Sequence, residues 1–488
     1  MEEKINEARE KFNAILDYVV SAAIGLEIHE VEMSIHRMVL ALARLLLELF
    51  VLSTGTGKKG MILVDDLGRT YRYLRDSARN YMSIFGVIEI LRAYYYREGQ
   101  EGLFPLDVIL NLPERKYSYP LQDKMAYGAV KESYEATAAS IEKDLYLKLA
   151  HRPIQEVARD CTAVVEEFMD SLEPPSPETE GPILVHTVDC KGIKMRPGER
   201  NAKQVKTEEK PGEKLMACVA QTYSIYPHFR PQEAIADTFF GPAESKTTKQ
   251  KDPRRPKPLS RRTFVSLKDD KSELFRRSTR SAQSRVHGGT EEKLGLMDGE
   301  IALKNRSREF LPDWREVLDI THAVERLRTA GQLQFGDRRA DAREYGREAL
   351  LLILGGKVGD VIEDFEAILE DEPLSDSQVK ELKKAVGYYR NNQYRMDYDR
   401  CLEKGLPIAS GVVESMCNSL INIRMDGPGM FWSMDGAEAI LKLRGVFLDD
   451  LWEEFWTFRT KTERKRLYAR YDNIRAISKN SPLKEKAA

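Results

Sequence analysis

The apolar positions of this chain change period several times, and each change predicts a different kind of element. Residues 5–52 read as two helices. In the second, Val31, Ile35, Met38, Val39, Leu42 and Leu45 recur mostly at three and four residues, and Gly55 supplies a stop. The pair is expected to be a packing or dimerisation unit. Residues 61–97 shift to β-branched and aromatic runs. Segments 61–64, 70–74, 80–85 and 87–96 predict strands, with Gly86 as a turn. Tyr94, Tyr95 and Tyr96 beside Arg92 and Arg97 suit either nucleic-acid contact or an ordinary aromatic sheet face. From 119 to 172 the pattern is helical again, with one helix near 133–147 and another over 154–172. Pro153 suits a first helical position. The pair permits a helix-turn-helix with Gln155, Arg159 and Thr162 on an exposed face, or a plain helical hairpin.

Residues 171–181, SLEPPSPETEG, form a Pro/Glu-rich linker. A buried-strand run follows over 182–188 and ends in Asp189. Segments 215–226 and 233–239 predict further strands. A basic zone with Pro242, Pro253, Pro256 and Pro258 predicts a loop. A second short apolar strand, 293–297, ends in Asp298 and Gly299. Segment 317–320 predicts a strand, His322 opens a helix, and 323–403 reads as helical throughout. Ser410 then suits the N-cap of a helix over 411–424 that carries Glu414. A Gly-Pro-Gly turn and Trp432 lead into a second helix with Ala437, Ile440, Leu441 and Leu443. The expected organisation is a helical pair (1–56), a β-rich region (57–118), a helical region (119–172), a linker (173–181), the first part of a core (182–328), a helical insertion (329–405), core completion (406–458) and a basic tail (459–488).

Composition narrows the class. With 42% apolar and 32% charged residues, the 488-residue chain reads as a globular protein of several domains with a large core. The net charge of −2 hides local asymmetry: residues 249–285 hold thirteen Lys/Arg against four Asp/Glu, and residues 459–479 hold eight against two. Such zones suit a polyanionic partner or a solvated face. The most apolar run, 38–52, contains Arg44 and Glu48, so it is too short and too charged to span a bilayer. No secretion leader is legible. The five cysteines form no C-x-x-C pair, so neither a zinc site nor a disulfide framework is expected, and the setting expected is reducing and cytoplasmic.

Three carboxylates carry the candidate chemistry. Asp189 and Asp298 each follow an apolar strand, which holds a carboxylate rigidly, and Glu414 rides a helix that must cross the sheet. Converging carboxylates can hold two Mg²⁺ ions about 4 Å apart, one activating a nucleophile and one stabilising the leaving oxygen. The same residues could instead be strand-end caps and a surface Glu. Asp319 competes with Asp298 for the second position, and with His322 it reads as a supporting pair. Arg424 and Trp432 suit phosphate pairing and base stacking, or a surface Arg and a core Trp.

Set in order, TVDCKGIKM (187–195), MDGE (297–300), LDITHAVERL (318–327), SGVVES (410–415) and GMFWSMDGAEAILKLR (429–444) resemble bacterial insertion-sequence transposases of the DDE class, close to the group named for the Kra element. NYMSIFGVIEI (80–90) and PLDVILNLP (105–113) resemble that group too, so the likeness spans about residues 80–460. It implies an α/β fold: a ribonuclease H-like catalytic core with an all-helical insertion, preceded by an N-terminal α+β DNA-binding region. It implies Asp189, Asp298 and Glu414 as catalytic metal ligands for Mg²⁺, with Mn²⁺ able to substitute. The implied activity is cleavage and strand transfer of double-stranded DNA at terminal inverted repeats, by a dimer or higher oligomer at the nucleoid and away from membranes. A domesticated DNA-binding protein and a structure-specific nuclease are the alternatives on the same scaffold. One departure is plain: relatives often carry cysteine pairs near the N-terminal hairpin, and YYYREGQEGLFP (94–105) has none.

Overall fold

The computed structural model describes residues 1–100, 102–199, 214–242, 255–268, 271–371, 374–471 and 474. Parts of both basic zones, residues 249–254 with Pro253 and 475–479, lie outside that range. The chain divides into two compact units. The first joins Met1–Phe168 to the residues after Asp450, and the second is Met169–Asp450.

The first unit opens with α1 (Glu2–Asp17) and α2 (Ile28–Thr54). β1 (Ile62–Val64), β2 (Thr70–Ser83) and β3 (Gly86–Tyr96) form an antiparallel sheet in that order. The two strands expected over 70–85 are one, β2, because β3 pairs along its whole length from Arg72 to Ser83 around one irregularity at Tyr73/Arg75. Four helices follow: α3 (Pro105–Leu110), α4 (Tyr119–Lys131), α5 (Tyr134–Leu145) and α6 (His151–Thr162), then the short α7 (Val165–Ser171), whose first turns belong to this unit. On α6, Arg159 is exposed, Gln155 and Thr162 are half-buried, and Pro153 is the third helical residue. The helix Trp452–Tyr468 also belongs here. Its start is not the end of a core and its remainder is not a tail. Trp452, Phe455, Trp456 and Arg459 are buried, and the Trp452 indole donates to Asp123 Oδ1 at 2.8 Å. Aromatic burial of that size outweighs the solvation of the intervening cations.

The second unit is mixed α/β with a helical majority. Its five-stranded sheet runs β6-β5-β4-β7-β8: β4 (Ile183–Lys194), β5 (Lys214–Ile225), β6 (Leu259–Ser266), β7 (Glu292–Met297) and β8 (Arg315–Leu318). β5 is antiparallel to β4 and β6, while β4, β7 and β8 are parallel. Side chains alternate across the sheet. Ile183 and Val185 enter the large core with Leu294, Leu296 and Val317, whereas Leu184 packs on the opposite side with Ala282, Leu311 and Trp314.

Two expectations fail here. Segment 233–239 is not a strand but part of α8 (Gln232–Phe240), since Ile235, Ala236 and Phe240 share one helical face. That face sits so close to a neighbouring helix that a Cβ at Gly346 would lie 2.4 Å from the Phe240 ring. The basic zone is not all loop, because it contains the edge strand β6 and α9 (Lys271–Ser284). An edge strand tolerates cations because only one of its sides is paired. After α10 (Ile301–Phe310) comes the helical block α11 (Ile320–Phe335), α12 (Arg339–Leu354), α13 (Val358–Asp371), α14 (Asp376–Asn392) and α15 (Tyr398–Glu403), then α16 (Gly411–Cys417), α17 (Ile423–Met425) and α18 (Met434–Leu448).

Candidate active site

The sheet register aligns three carboxylates. Val188 pairs with Met297, and Met297 pairs with Leu318, all in parallel strands. The next residue on each is acidic: Asp189, Asp298 and Asp319. Parallel neighbours lie about 4.8 Å apart, and residues of one row share a face. By the same alternation that row is on the face of Ile183, Val185, Leu294, Leu296 and Val317, where the helical block packs. Asp189 does not end its strand, which runs on to Lys194. The row lies at the carboxyl ends of β7 and β8, beside β4, where the strand order reverses direction. Open α/β sheets bind ligands at such a switch point.

The members of the row have different duties. Asp319 has no exposure and caps α11: its Oδ1 accepts from the Thr321 amide at 3.0 Å and its Oδ2 from the Ser410 hydroxyl. His322 is 4.0 Å from the same carboxylate and 3.6 Å from Glu325. Asp298 is half-buried and accepts from the Glu300 amide at 2.9 Å. Burial pushes its carboxyl up, Asp189 and Glu300 add to this, and the Glu300 amide and His322 pull it back.

Glu414 is exposed on α16, and its carboxyl is also pushed up, first by desolvation, then by Asp319 and Asp189, against His322. Glu414 therefore shares one electrostatic field with Asp319 and Asp189. Among the described residues, however, no three His, Cys, Asp or Glu side chains are grouped closely enough to hold a metal ion. The donor chemistry suits a hard divalent cation, which would relieve the mutual repulsion. The side chains as placed are not yet a ligand set.

Several participants carry no motif. Arg395 is buried and donates to the carbonyls of Met297 at 3.2 Å and Asp298 at 3.1 Å. The Tyr398 hydroxyl donates to the Leu318 carbonyl at 2.9 Å. The insertion thus grips the ends of β7 and β8. Burial raises the thiol of Cys417, and the charge of Asp189 adds to this. Cys190 and Cys218 face each other across β4 and β5 and are joined as a disulfide. That corrects the expectation from spacing, because strand register, not C-x-x-C proximity, brings them together.

Arg424 and Trp432 lie differently from the expected DNA contacts. Both are buried, the guanidinium 5.1 Å from the indole centroid. Trp432 donates from its ring to the Met425 carbonyl at 3.0 Å, and its backbone pairs with Lys194 and Arg196 at the end of β4. A buried indole offers no free face to a base. The pair ties the turn after α17 to the sheet.

No protein-family model and no curated protein matches this chain. Among solved structures, the Drosophila P element transposase strand transfer complex is similar at a TM-score of 0.24 and 10% identity, over 70% of this chain and 81% of that chain. A likeness that distant decides neither the site nor its chemistry. Among the described residues, no helix is long and apolar enough to cross a membrane.

Proposed function

We propose that this chain is a DNA transposase of the DDE class, cutting double-stranded DNA at element ends and joining the freed 3′ ends to a target. The observation that carries this reading is the acidic row Asp189–Asp298–Asp319, together with the shared field that reaches Glu414. A ribonuclease H-like core is supported by the mixed sheet, whose first strand, β4, is central and carries the first acid. Asp189, Asp298 and Glu414 would hold Mg²⁺, or Mn²⁺ in its place. A metal bound there supplies Lewis-acid stabilisation at the phosphodiester and lowers the pKa of a bound water. Asp319 is read as a positioning residue rather than a ligand, because the Thr321 amide and the Ser410 hydroxyl already engage its two oxygens.

The chain's own residues set the geometry. Arg395 steadies the backbone of Asp298, Ser410 holds the helix of Glu414 to Asp319, and His322 tempers the repulsion among the acids. Arg255, from the basic zone, sits against Gly411 at the start of α16, where it can meet a DNA phosphate. Two ends must be brought together, so a dimer or larger assembly is the working form.

The test is strand transfer with a labelled end substrate in Mg²⁺. Asp189→Asn, Asp298→Asn and Glu414→Gln are each expected to abolish cleavage while leaving DNA binding largely intact. An active Glu414→Gln protein would sink the assignment.

A further inference from the structure

The first unit carries a cavity of about 970 Å³ lined from α4, α6 and the helix Trp452–Tyr468. A space of that size takes a small organic molecule. Its lining includes Arg459, which is 3% exposed. The guanidinium packs 5.0 Å from the Trp456 ring centroid and 5.9 Å from that of Tyr119. Its Nη2 donates to Gln122 Oε1 at 3.0 Å, while Nε and Nη1 are buried and meet no acceptor. Among the described residues no carboxylate pairs with it. A guanidinium cannot shed its proton, and a buried cation is costly unless an anion meets it. The Tyr119 hydroxyl lines the same cavity and is also buried without a partner. Burial pushes the phenol up to about 12, so it stays a proton donor at neutral pH.

The acids nearby are engaged elsewhere. Glu463, one turn beyond Arg459 on the same helix, accepts from Arg466 at 2.8 Å, and Glu114 accepts from Arg466 at 2.6 Å. Asp160 and Glu156 hold Arg115. Apart from Arg459, the lining holds four carboxylates and three bases. It therefore resists a polyanion, such as a duplex or a nucleoside triphosphate, and leaves one positive charge to answer. Pro113, Ala163 and Val164 add apolar surface to the lining. The matching ligand has one anionic head and an apolar body.

We propose that this cavity binds a small organic acid, its single carboxylate held by Arg459 and the Tyr119 hydroxyl and its body by Pro113, Ala163 and Val164. This goes beyond the DNA-cutting reading and does not depend on it.

The test is calorimetric titration of the full chain with benzoate, and with benzamide as its neutral counterpart. Benzoate is expected to bind with a Kd on the order of 1 mM or tighter, and benzamide much more weakly. Arg459→Gln is expected to weaken benzoate by about tenfold or more, and Tyr119→Phe by less. Absence of benzoate binding, equal binding of benzamide, or unchanged affinity in Arg459→Gln overturns the proposal. Displacement of benzoate by inorganic pyrophosphate at lower concentration than by acetate would assign the cavity to polyanions and overturn it too. Should Arg459→Gln fail to fold, Tyr119→Phe and the cavity-filling Ala163→Trp decide. Benzoate affinity lowered in both supports the site, and affinity unchanged in either overturns it.

Discussion

The hydroxyl of Ser410 donates to Oδ2 of Asp319, a carboxylate with no exposure. Ser410 stands at the N-cap of α16 but makes no side-chain bond to that helix. Its bond goes across to the cap of α11, and so it sets where Glu414 sits relative to the strand ends. Ser410→Ala removes one partner of a buried charged acceptor and is expected to lower unfolding stability by about 1–3 kcal/mol. DNA cleavage should fall with it while duplex binding persists. Urea unfolding and a cleavage time course check both parts.

Arg395 makes a stronger case for the helical insertion as part of the site. Its guanidinium is 1% exposed and holds the carbonyls of Met297 and Asp298. Arg395→Leu leaves the carbonyls of Met297 and Asp298 without their buried donor, while Glu316 keeps its ion pair with Arg308 at 2.6 Å, so a loss of about 3 kcal/mol is expected. Chemical denaturation gives the number. Unchanged stability would mean that the insertion does not clamp β7.

The acids of the site predict an unusual pH and metal response. Asp298 and Glu414 are both raised in the folded chain. A raised carboxyl contributes stability that is fully present below its unfolded value, 3.8 for Asp298 and 4.5 for Glu414, and is lost as pH rises through the folded value. At neutral pH without divalent metal, Asp298→Asn is therefore expected to melt higher than wild type. Adding Mg²⁺ at 100 times its Kd should stabilise wild type by about 2.7 kcal/mol and the variant much less. Melting curves with EDTA and with Mg²⁺ test the sign of both effects.

Trp432 is expected to act on folding rather than on DNA. Its ring is 7% exposed, packs against Arg424 and is bonded to Met425. Trp432→Ala should cost about 3–5 kcal/mol. If that variant keeps wild-type stability and loses only DNA affinity, the base-stacking role regains its place.

The strands that carry Asp189 and precede Asp298 were legible because each is an apolar run bounded by polar residues, and the helix of Glu414 because an N-cap serine opens it. The helical block was legible from its period. Other features were not. The helix Gln232–Phe240 reads equally as a strand because its short apolar clusters, residues 234–236 and 239–240, fit both periods, and its packing against Gly346 decides for the helix. β6 was hidden by Arg261 and Arg262, which an edge strand tolerates. Arg395 and Tyr398 belong to no motif, since they act by reaching backbone carbonyls far away in sequence.

By itself, the sequence determined which segments bury apolar surface and which residue types could do the chemistry, because period and composition act locally. Only the tertiary structure decided that Asp189, Asp298 and Asp319 stand in one row, and that Ser410 joins α16 to it. Register and helix placement come from packing between segments distant in sequence, 91 residues apart for Ser410 and Asp319, and no local pattern records them.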